Sequence, residues 1–210
     1  MGLEFLEEAQ QAFETYLASS GDAPDRARLI EAAFTKEIGS NSKAVFELME
    51  QFRQWRQAGL PLSITAFQRK VEYDPAEGQT PHEKGMAASL REAAAQMPDA
   101  LVLVLVGNIH ARKKPYGGDA VPAFVPMAMH LPQEKTLALV AVHKGGTARN
   151  CRMLEPGKLD CVPAERRPSV LGRDAPPGLK LGLGPDAAYD GLVKLGEITA
   201  SLPLNPSPGE

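Results

Sequence analysis

Apolar residues recur with helical or strand-like periods along the first 150 residues. Leu3, Phe5 and Leu6 resemble the end of a buried strand that runs straight into a helix over about residues 5–18. Helical spacing of apolar residues predicts further helices over about 24–37, about 43–58 and about 80–97.

Capping residues support the bounds of these helices. Asp22 and Pro24 suit the start of the second helix, and Gly59 suits the end of the third. Thr80 is predicted to cap the fourth helix, with Glu83 at its third position as the reciprocal capping carboxylate.

The run Leu101–Val106 contains no polar residue, which predicts a strand covered on both faces, as in a parallel sheet. Further strands are predicted over 62–67, 136–143 and 190–196. Residues 121–131 suggest a short helix that is interrupted near Pro126.

This order of helices and strands predicts an α/β, three-layer fold, with a mainly parallel sheet and helices on both faces. Nine prolines follow residue 150, and periodic segments become scarce there. We therefore expect one domain over 1–210, with a core over 1–150 and an irregular, loop-rich C-terminal wrap over 151–210.

Composition sets broad limits on function. The 210 residues are 43% hydrophobic and 23% charged, with a formal net charge of −3, as in an ordinary globular protein. That charge does not favour a nucleic-acid partner. No apolar run approaches the roughly 20 residues of a membrane-spanning helix. The first residues do not resemble a signal peptide. We expect a periplasmic or exported protein if a signal has been removed, and a cytoplasmic one otherwise.

The two cysteines, Cys151 and Cys161, lie in a segment rich in glycine and proline. Their spacing suits a local disulfide if the protein is exported, and two free thiols if it is not.

His110 is the strongest candidate for chemistry. It follows the 101–106 strand after Gly107, where the backbone turns, and Asn108, whose amide can tether the turn. Ligands of parallel sheets bind at the carboxyl ends of the strands, so His110 suits a general base or a metal ligand there. Glu4, at the end of the first strand, is expected at the same edge. The alternative for His110 is a histidine that orders its own loop. The alternative for Glu4 is an exposed carboxylate in the first turn of a helix.

The remaining histidines carry weaker signals. His143 also follows a buried strand, and a structural role is the favoured interpretation. His82 lies in the first turn of its helix, where the macrodipole disfavours the charged imidazole. Beside it, Glu83 is interpreted as a helix cap. His130 has no distinctive context. The chain contains no phosphate loop, nucleophile elbow, dinucleotide fingerprint or His-Glu-x-x-His motif.

Four short segments, taken in order, resemble a superfamily that joins the ChaN haem-binding lipoproteins, the Tiki/TraB proteins and the erythromycin esterases. They are Leu3–Phe5 with Phe13–Leu17, His82–Glu83 with Met86–Ala87, Gly107–His110, and Tyr189–Gly191 with Ile198–Ser201.

The resemblance implies that Glu4 and His110 are the site carboxylate and histidine, and that Glu83 is the helix acid. The chain departs from the pattern at His82, where relatives carry arginine, and at Gln68, where they often carry aspartate. The family's opening strand, ending in Gly-x-x-His, has no match, so we expect an incomplete site.

Three functions remain open. The first is a hydrolase-like domain of esterase or metallopeptidase type, with His110, Glu4, Glu83 and His82 in the site and His110 with Glu4 as metal ligands. The second is a ChaN-like protein that binds haem or iron through Tyr116, His130 and Asn108. The third is a catalytically silent binding member. A small-molecule or peptide substrate and a homodimer are the expected partners.

Overall fold

A three-stranded parallel sheet positions the first strand of the chain between two others. In this computed structural model, β1 (Gly2–Leu6) pairs with β2 (Thr65–Gln68) on one side and with β3 (Val104–Leu105) on the other. Both pairings are parallel, with Gly2 opposite Thr65 and Val104. The carboxyl ends of the three strands therefore meet at one edge of this sheet.

A second sheet combines β6 (Leu139–Val142), β10 (Gly191–Lys194) and β9 (Gly178–Leu181). Strand β10 lies in the middle, parallel to β6 and antiparallel to β9. These two sheets belong to one packed unit, which comprises residues 1–7, 65–143 and 169–196. The α/β class and the mainly parallel pairing of the strands are confirmed.

Helix α4 (Thr80–Gln96) packs against β2 in the core of this unit. A buried cluster joins the helix to β2 and to the 3-10 turn Met127–His130; its members are Phe67, Met86, Ala87, Leu90 and Met127. Apolar residues spaced at helical intervals along α4 thus face β2, as the sequence pattern predicts.

The second unit comprises residues 8–64, 144–168 and the segment from residue 197. It contains helices α1 (Gln10–Ala18), α2 (Ala23–Ala33) and α3 (Lys43–Gln57), and the antiparallel hairpin of β7 (Gly146–Glu155) and β8 (Lys158–Arg166). The predicted cap is confirmed at Asp22, whose side chain accepts from the Asp25 amide at 3.0 Å. The expectation of a single domain stays a prediction.

The prediction that the 101–106 run is covered on both faces is wrong. Leu101, Leu103 and Leu105 are 81%, 58% and 50% exposed, whereas Val104 and Val106 pack on the core cluster. Among the described residues β3 pairs only with β1, so it has a neighbour on one side alone. A continuous apolar run therefore does not establish that both faces of a strand are covered.

Residues 121–131 are also not a helix. The segment forms β5 (Val121–Phe124), which pairs with β4 (Tyr116–Gly118), and then the 3-10 turn Met127–His130. The part after residue 150 contains more strand than its proline and glycine content predicts. Strand β8 even includes Pro163, which lies opposite Arg149 in the ladder.

The structure describes residues 1–34, 42–72, 76–118, 121–155, 158–184 and 187–204, without the side chains of 121, 150–155 and 158–161. The C-terminal end of the predicted second helix, residues 35–37, lies outside this set. Cys151 and Cys161 are opposite each other in the β7–β8 ladder, but the predicted disulfide concerns side chains outside it. No helix within the described ranges has the length and apolar character needed to cross a bilayer.

Candidate functional site

His110 lies just beyond the carboxyl end of β3, in a tight turn. Its backbone N–H donates to the Gly107 carbonyl at 3.0 Å, and its side chain is 17% exposed. A Cβ at Gly107 would lie 3.3 Å from Cδ2 of His110 and 3.5 Å from Oε2 of Glu4. Glycine therefore lets the backbone approach both side chains closely.

Glu83 is the residue that holds the imidazole. Its Oε1 lies 2.7 Å from Nδ1 of His110, and its Oε2 accepts from the Met127 backbone N–H at 2.7 Å. The Glu83 side chain is fully buried. A buried carboxylate needs such partners to offset the loss of hydration.

The interpretation of Glu83 as a helix cap is wrong, and so is the predicted cap at Thr80. Helix α4 starts at Thr80 itself, with no side-chain hydrogen bond from its flanking residue Gln79. The Thr80 hydroxyl instead accepts from the Val125 amide at 3.4 Å. The Glu83 carboxylate contacts His110 and the Met127 amide instead.

Glu4 approaches the other side of the ring from the end of β1. Its Oε2 accepts from the Gly107 N–H at 2.7 Å, and its Oε1 accepts from the Gln68 amide at 3.4 Å. The same Oε1 lies 3.7 Å from Nε2 of His110. Parallel pairing of β1, β2 and β3 thus brings Glu4, Gln68 and His110 to one edge, as predicted for Glu4 and His110.

The two carboxylates determine the charge of the imidazole. Burial of the ring lowers the pKa of His110, but the hydrogen bond and charge of Glu83, with the charge of Glu4, outweigh it. The pKa of His110 is therefore raised above its ordinary value of 6.5. In the neutral ring, Glu83 favours the tautomer with the proton on Nδ1, which leaves the Nε2 lone pair for chemistry.

The sequence contains two other candidate histidines, His82 and His143. The ring of His82 makes an edge contact with that of His110, with 6.3 Å between centroids. His143 follows β6, which does not pair with β3 among the described strands. Its backbone N–H and carbonyl both bond to Ser169, at 3.0 and 2.9 Å. These bonds agree with a structural role for His143.

Each residue that was predicted to bind haem contacts another group of the protein. The Asn108 carbonyl accepts from the Tyr189 hydroxyl at 2.9 Å, and the Tyr116 ring packs edge-on against Phe124. His130 Nε2 lies 3.2 Å from the Val125 carbonyl. Met127, from the same turn as His130, is buried in the core cluster. Haem binding stays a prediction without a specific contact in its favour.

His110 and Glu4, the predicted metal ligands, are too few to hold a metal ion on their own. Among the described residues, no group of three or more His, Cys, Asp or Glu side chains is arranged to hold an ion. The predicted pair, His110 and Glu4, supplies two protein donors, whereas catalytic zinc sites use about three.

Sequence reasoning missed two groups near His110, the Met127 amide and the Arg112 guanidinium. The Met127 amide carries no sequence signal, because any residue except proline supplies a backbone N–H. Arg112 Cζ lies 5.3 Å from the ring centroid of Tyr116 and 5.8 Å from that of Tyr189. Arg112 lies in the short basic run Ala111–Lys114, whose spacing carries no signal for a contact with tyrosine rings.

Comparisons with known proteins give a limited result. The chain is similar to a solved structure of the erythromycin esterase EreC, a mutant in its open conformation, with 16% sequence identity and a TM-score of 0.45. The likeness covers 93% of this chain and 51% of that one, so the chain spans about half the length of that protein. No protein-family model matches the chain. No curated protein matches it.

Proposed function

We propose that His110, Glu83 and Glu4 form an acid–base centre that activates water for hydrolysis of a small carboxylic ester. One observation carries the proposal: buried Glu83 holds Nδ1 of His110 at 2.7 Å, while Nε2 faces Glu4 Oε1 at 3.7 Å. A base oriented by a buried carboxylate, with its second nitrogen directed at a further polar group, is the arrangement that general-base chemistry requires.

In the proposed reaction, Nε2 of His110 takes a proton from water as the water oxygen attacks the ester carbonyl carbon. The carbon–oxygen bond to the alcohol then breaks, and the imidazolium returns its proton to the leaving oxygen. The products are one carboxylic acid and one alcohol. Glu83 stabilises the imidazolium, because it is already hydrogen-bonded to Nδ1.

Glu4 has the role of holding the water. Its two oxygens are held by the Gly107 and Gln68 N–H donors, at 2.7 and 3.4 Å. A water that donates to Oε1 of Glu4 would lie within reach of Nε2 of His110, since polar groups more than 3.5 Å apart are commonly bridged in this way. Glu4 is therefore a positioning residue for the nucleophile.

The resemblance to the ChaN, Tiki/TraB and erythromycin-esterase superfamily points to the same pair of residues. It assigns Glu4 and His110 to the site from short segments of sequence, and the side chains of both lie at one strand edge. Among the activities in that superfamily, ester hydrolysis needs only the base, the carboxylate and water. We therefore favour it over a metal-dependent reaction or haem binding.

Hydrolysis of short-chain p-nitrophenyl esters by purified full-length chain tests the proposal. His110→Ala should reduce turnover by about 100-fold or more, the usual contribution of a general base. Glu4→Gln should lower kcat more than it raises KM. His143→Gln, at a histidine with backbone bonds to Ser169, should retain turnover. Equal activity of His110→Ala and wild type, with both folded by circular dichroism, would refute the acid–base centre.

A further inference from the structure

Both faces of the sheet formed by β6, β10 and β9 are apolar. One face carries Val140, Val142 and Leu192, which form a buried core cluster. Residues that are directly paired in a sheet point to the same side, and successive residues of a strand point to opposite sides. The register therefore places six other residues on the opposite face: Leu139, Ala141, Leu179, Leu181, Gly191 and Val193. We call these six residues the outer face.

The charged residues of these strands lie on the side away from the outer face. Lys180 is opposite Leu192 in the ladder, and Lys194 follows Leu192 by two positions, so both share the side of the core cluster. The Lys194 ammonium donates to the Gly172 carbonyl at 2.8 Å. When one face of a sheet is solvated, polar residues normally alternate onto that face. The outer face lacks this alternation and has the composition of a covered surface.

The outer face is nevertheless open to solvent. Leu179 and Leu181 are 60% and 53% exposed, and Ala141 is also exposed. At the centre of the face, a Cβ at Gly191 would lie 2.9 Å from Cδ2 of Leu139 and 2.9 Å from Cδ2 of Leu181. The two leucines thus close over the glycine from either side. Apolar side chains therefore cover the backbone across the middle of the sheet.

The area of this surface determines how strong a contact it can support. Leu137 and Leu195 extend the outer face by the same alternation and are 57% and 41% exposed. The combined patch presents roughly 400 Å² of apolar surface, a size at which surface patches often have a function. Two copies of the patch would together bury roughly 800 Å², which is below the about 1,600 Å² of a stable complex and within the range of weak ones.

We propose that the outer face is the contact surface of a weak homodimer, in which the β6, β10 and β9 sheets of two copies stack face to face. A two-fold contact sets one patch against an identical patch. A charged patch would therefore repel its copy, whereas the uncharged outer face complements itself. Stacked sheets lie about 10 Å apart, which suits one layer of apolar side chains from each copy. The contact does not involve His110, so it is independent of the acid–base centre.

The exposed leucines of β3 are the competing surface. Leu101, Leu103 and Leu105 lie along one strand, which pairs only with β1 among the described strands. They form a single row, whereas the outer face is three strands wide. Face-to-face packing of sheets needs this width, because side chains of neighbouring strands interdigitate between the layers. The outer face is therefore the better surface for a second copy.

Sedimentation equilibrium of the full-length chain tests the proposal. Between about 5 and 500 μM, the weight-average mass should rise from that of one chain toward that of two, with a Kd of about 10–100 μM. Leu181→Glu should keep the chain monomeric over this range, because the contact would bury two like charges. Leu103→Glu is the matched control at a similarly exposed leucine of β3, and it should associate like wild type.

Isotope-filtered NOE spectra locate the contact in the wild-type protein. The sample is an equal mixture of leucine-methyl-labelled chain and unlabelled chain. Methyl signals of Leu179 and Leu181, assigned by their loss in Leu179→Val and Leu181→Val, should show NOEs to protons of the unlabelled copy. Methyl signals of Leu103, assigned in the same way, should show none.

Three results would overturn the proposal. A wild-type chain that stays monomeric at about 500 μM would exclude the homodimer and point to a different protein as the partner of the outer face. Association that is lost in Leu103→Glu but kept in Leu181→Glu would place the contact at β3. If Leu181→Glu fails to fold, the NOE experiment decides, since a dimer without NOEs from Leu179 and Leu181 contradicts the outer-face contact.

Discussion

Oε1 of Glu83 lies 2.7 Å from Nδ1 of His110, although 27 positions separate the two residues in the chain. This contact joins the first turn of α4 to the turn after β3. It sets the tautomer of the imidazole and raises the pKa of His110. It also gives the fully buried carboxylate of Glu83 a hydrogen-bond partner. The chemistry of His110 is therefore controlled from a different element of structure.

Glu83→Gln should lower the pKa of His110 and reverse its tautomer. The glutamine carbonyl can still accept from the Met127 amide, so its NH₂ group would face Nδ1 and move the ring proton to Nε2. Imidazole ¹⁵N shifts, measured across pH, report both changes. Glu134→Gln, at an exposed carboxylate, should change neither.

The same pair makes stability depend on pH. Because the folded pKa of His110 is raised above 6.5, its contribution to the free energy of unfolding is complete below that pH. It is lost as the pH rises through the folded pKa. Urea denaturation over a pH series should show this loss in wild type, and a smaller one in Glu83→Gln. An identical pH dependence in both proteins would contradict the ion-pair interpretation.

Asp190→Asn should destabilise the segment after His110. Asp190 bonds Lys113 at 2.9 Å and the Ala138 amide at 2.7 Å, and these partners outweigh burial, so its pKa lies below 3.8. Its stabilising contribution is therefore present above 3.8 and lost as the pH falls through the lower, folded pKa. We expect a cost of about 1 kcal/mol at neutral pH by urea denaturation. Exposed Asp174→Asn is the matched control.

Gly21→Ala should be among the more damaging single-methyl additions. Gly21 has φ of +74°, and a Cβ there would overlap the guanidinium of Arg53. The Arg53 guanidinium would have to shift within its bonds to Glu50, which adds to the backbone strain, so the expected cost is about 3 kcal/mol. Gly59 has φ of +91° with no heavy atom within 4 Å. Gly59→Ala should therefore cost only about 1–2 kcal/mol, and equal losses in the free energy of unfolding would refute the steric argument.

Tyr16 should titrate far above an ordinary tyrosine. Burial, together with a 2.5 Å hydrogen bond to Glu50 and the charge of that carboxylate, raises the pKa of Tyr16 to about 12. In Glu50→Gln the pKa should fall but stay above 10, because the burial persists. Tyrosine ¹³Cζ shifts across pH measure it, with Tyr16→Phe as the assignment control. An unchanged pKa in Glu50→Gln would remove Glu50 as a cause.

Sequence periodicity predicted the elements that local chemistry controls. The strand at Leu3–Leu6, the cap at Asp22 and the strand near residue 191 all follow from side-chain spacing and short-range hydrogen bonds, which operate between neighbours in the chain. The same reasoning placed Glu4 and His110 at the carboxyl ends of two strands. Because these strands pair in parallel, the two side chains lie at the same edge of the sheet.

Tertiary structure decided what these residues touch. Glu83 has the sequence context of a capping carboxylate, yet packing of α4 turns it onto His110 and Met127. Leu105 has the context of a buried strand, yet it is half exposed, because only the opposite face of β3, with Val104 and Val106, packs on the core cluster. Arg112 lies near the ring of Tyr189, although the two residues are far apart in the sequence, because the fold brings their segments together. Spacing along a chain determines which face a residue occupies, whereas the partner on that face depends on contacts between distant segments.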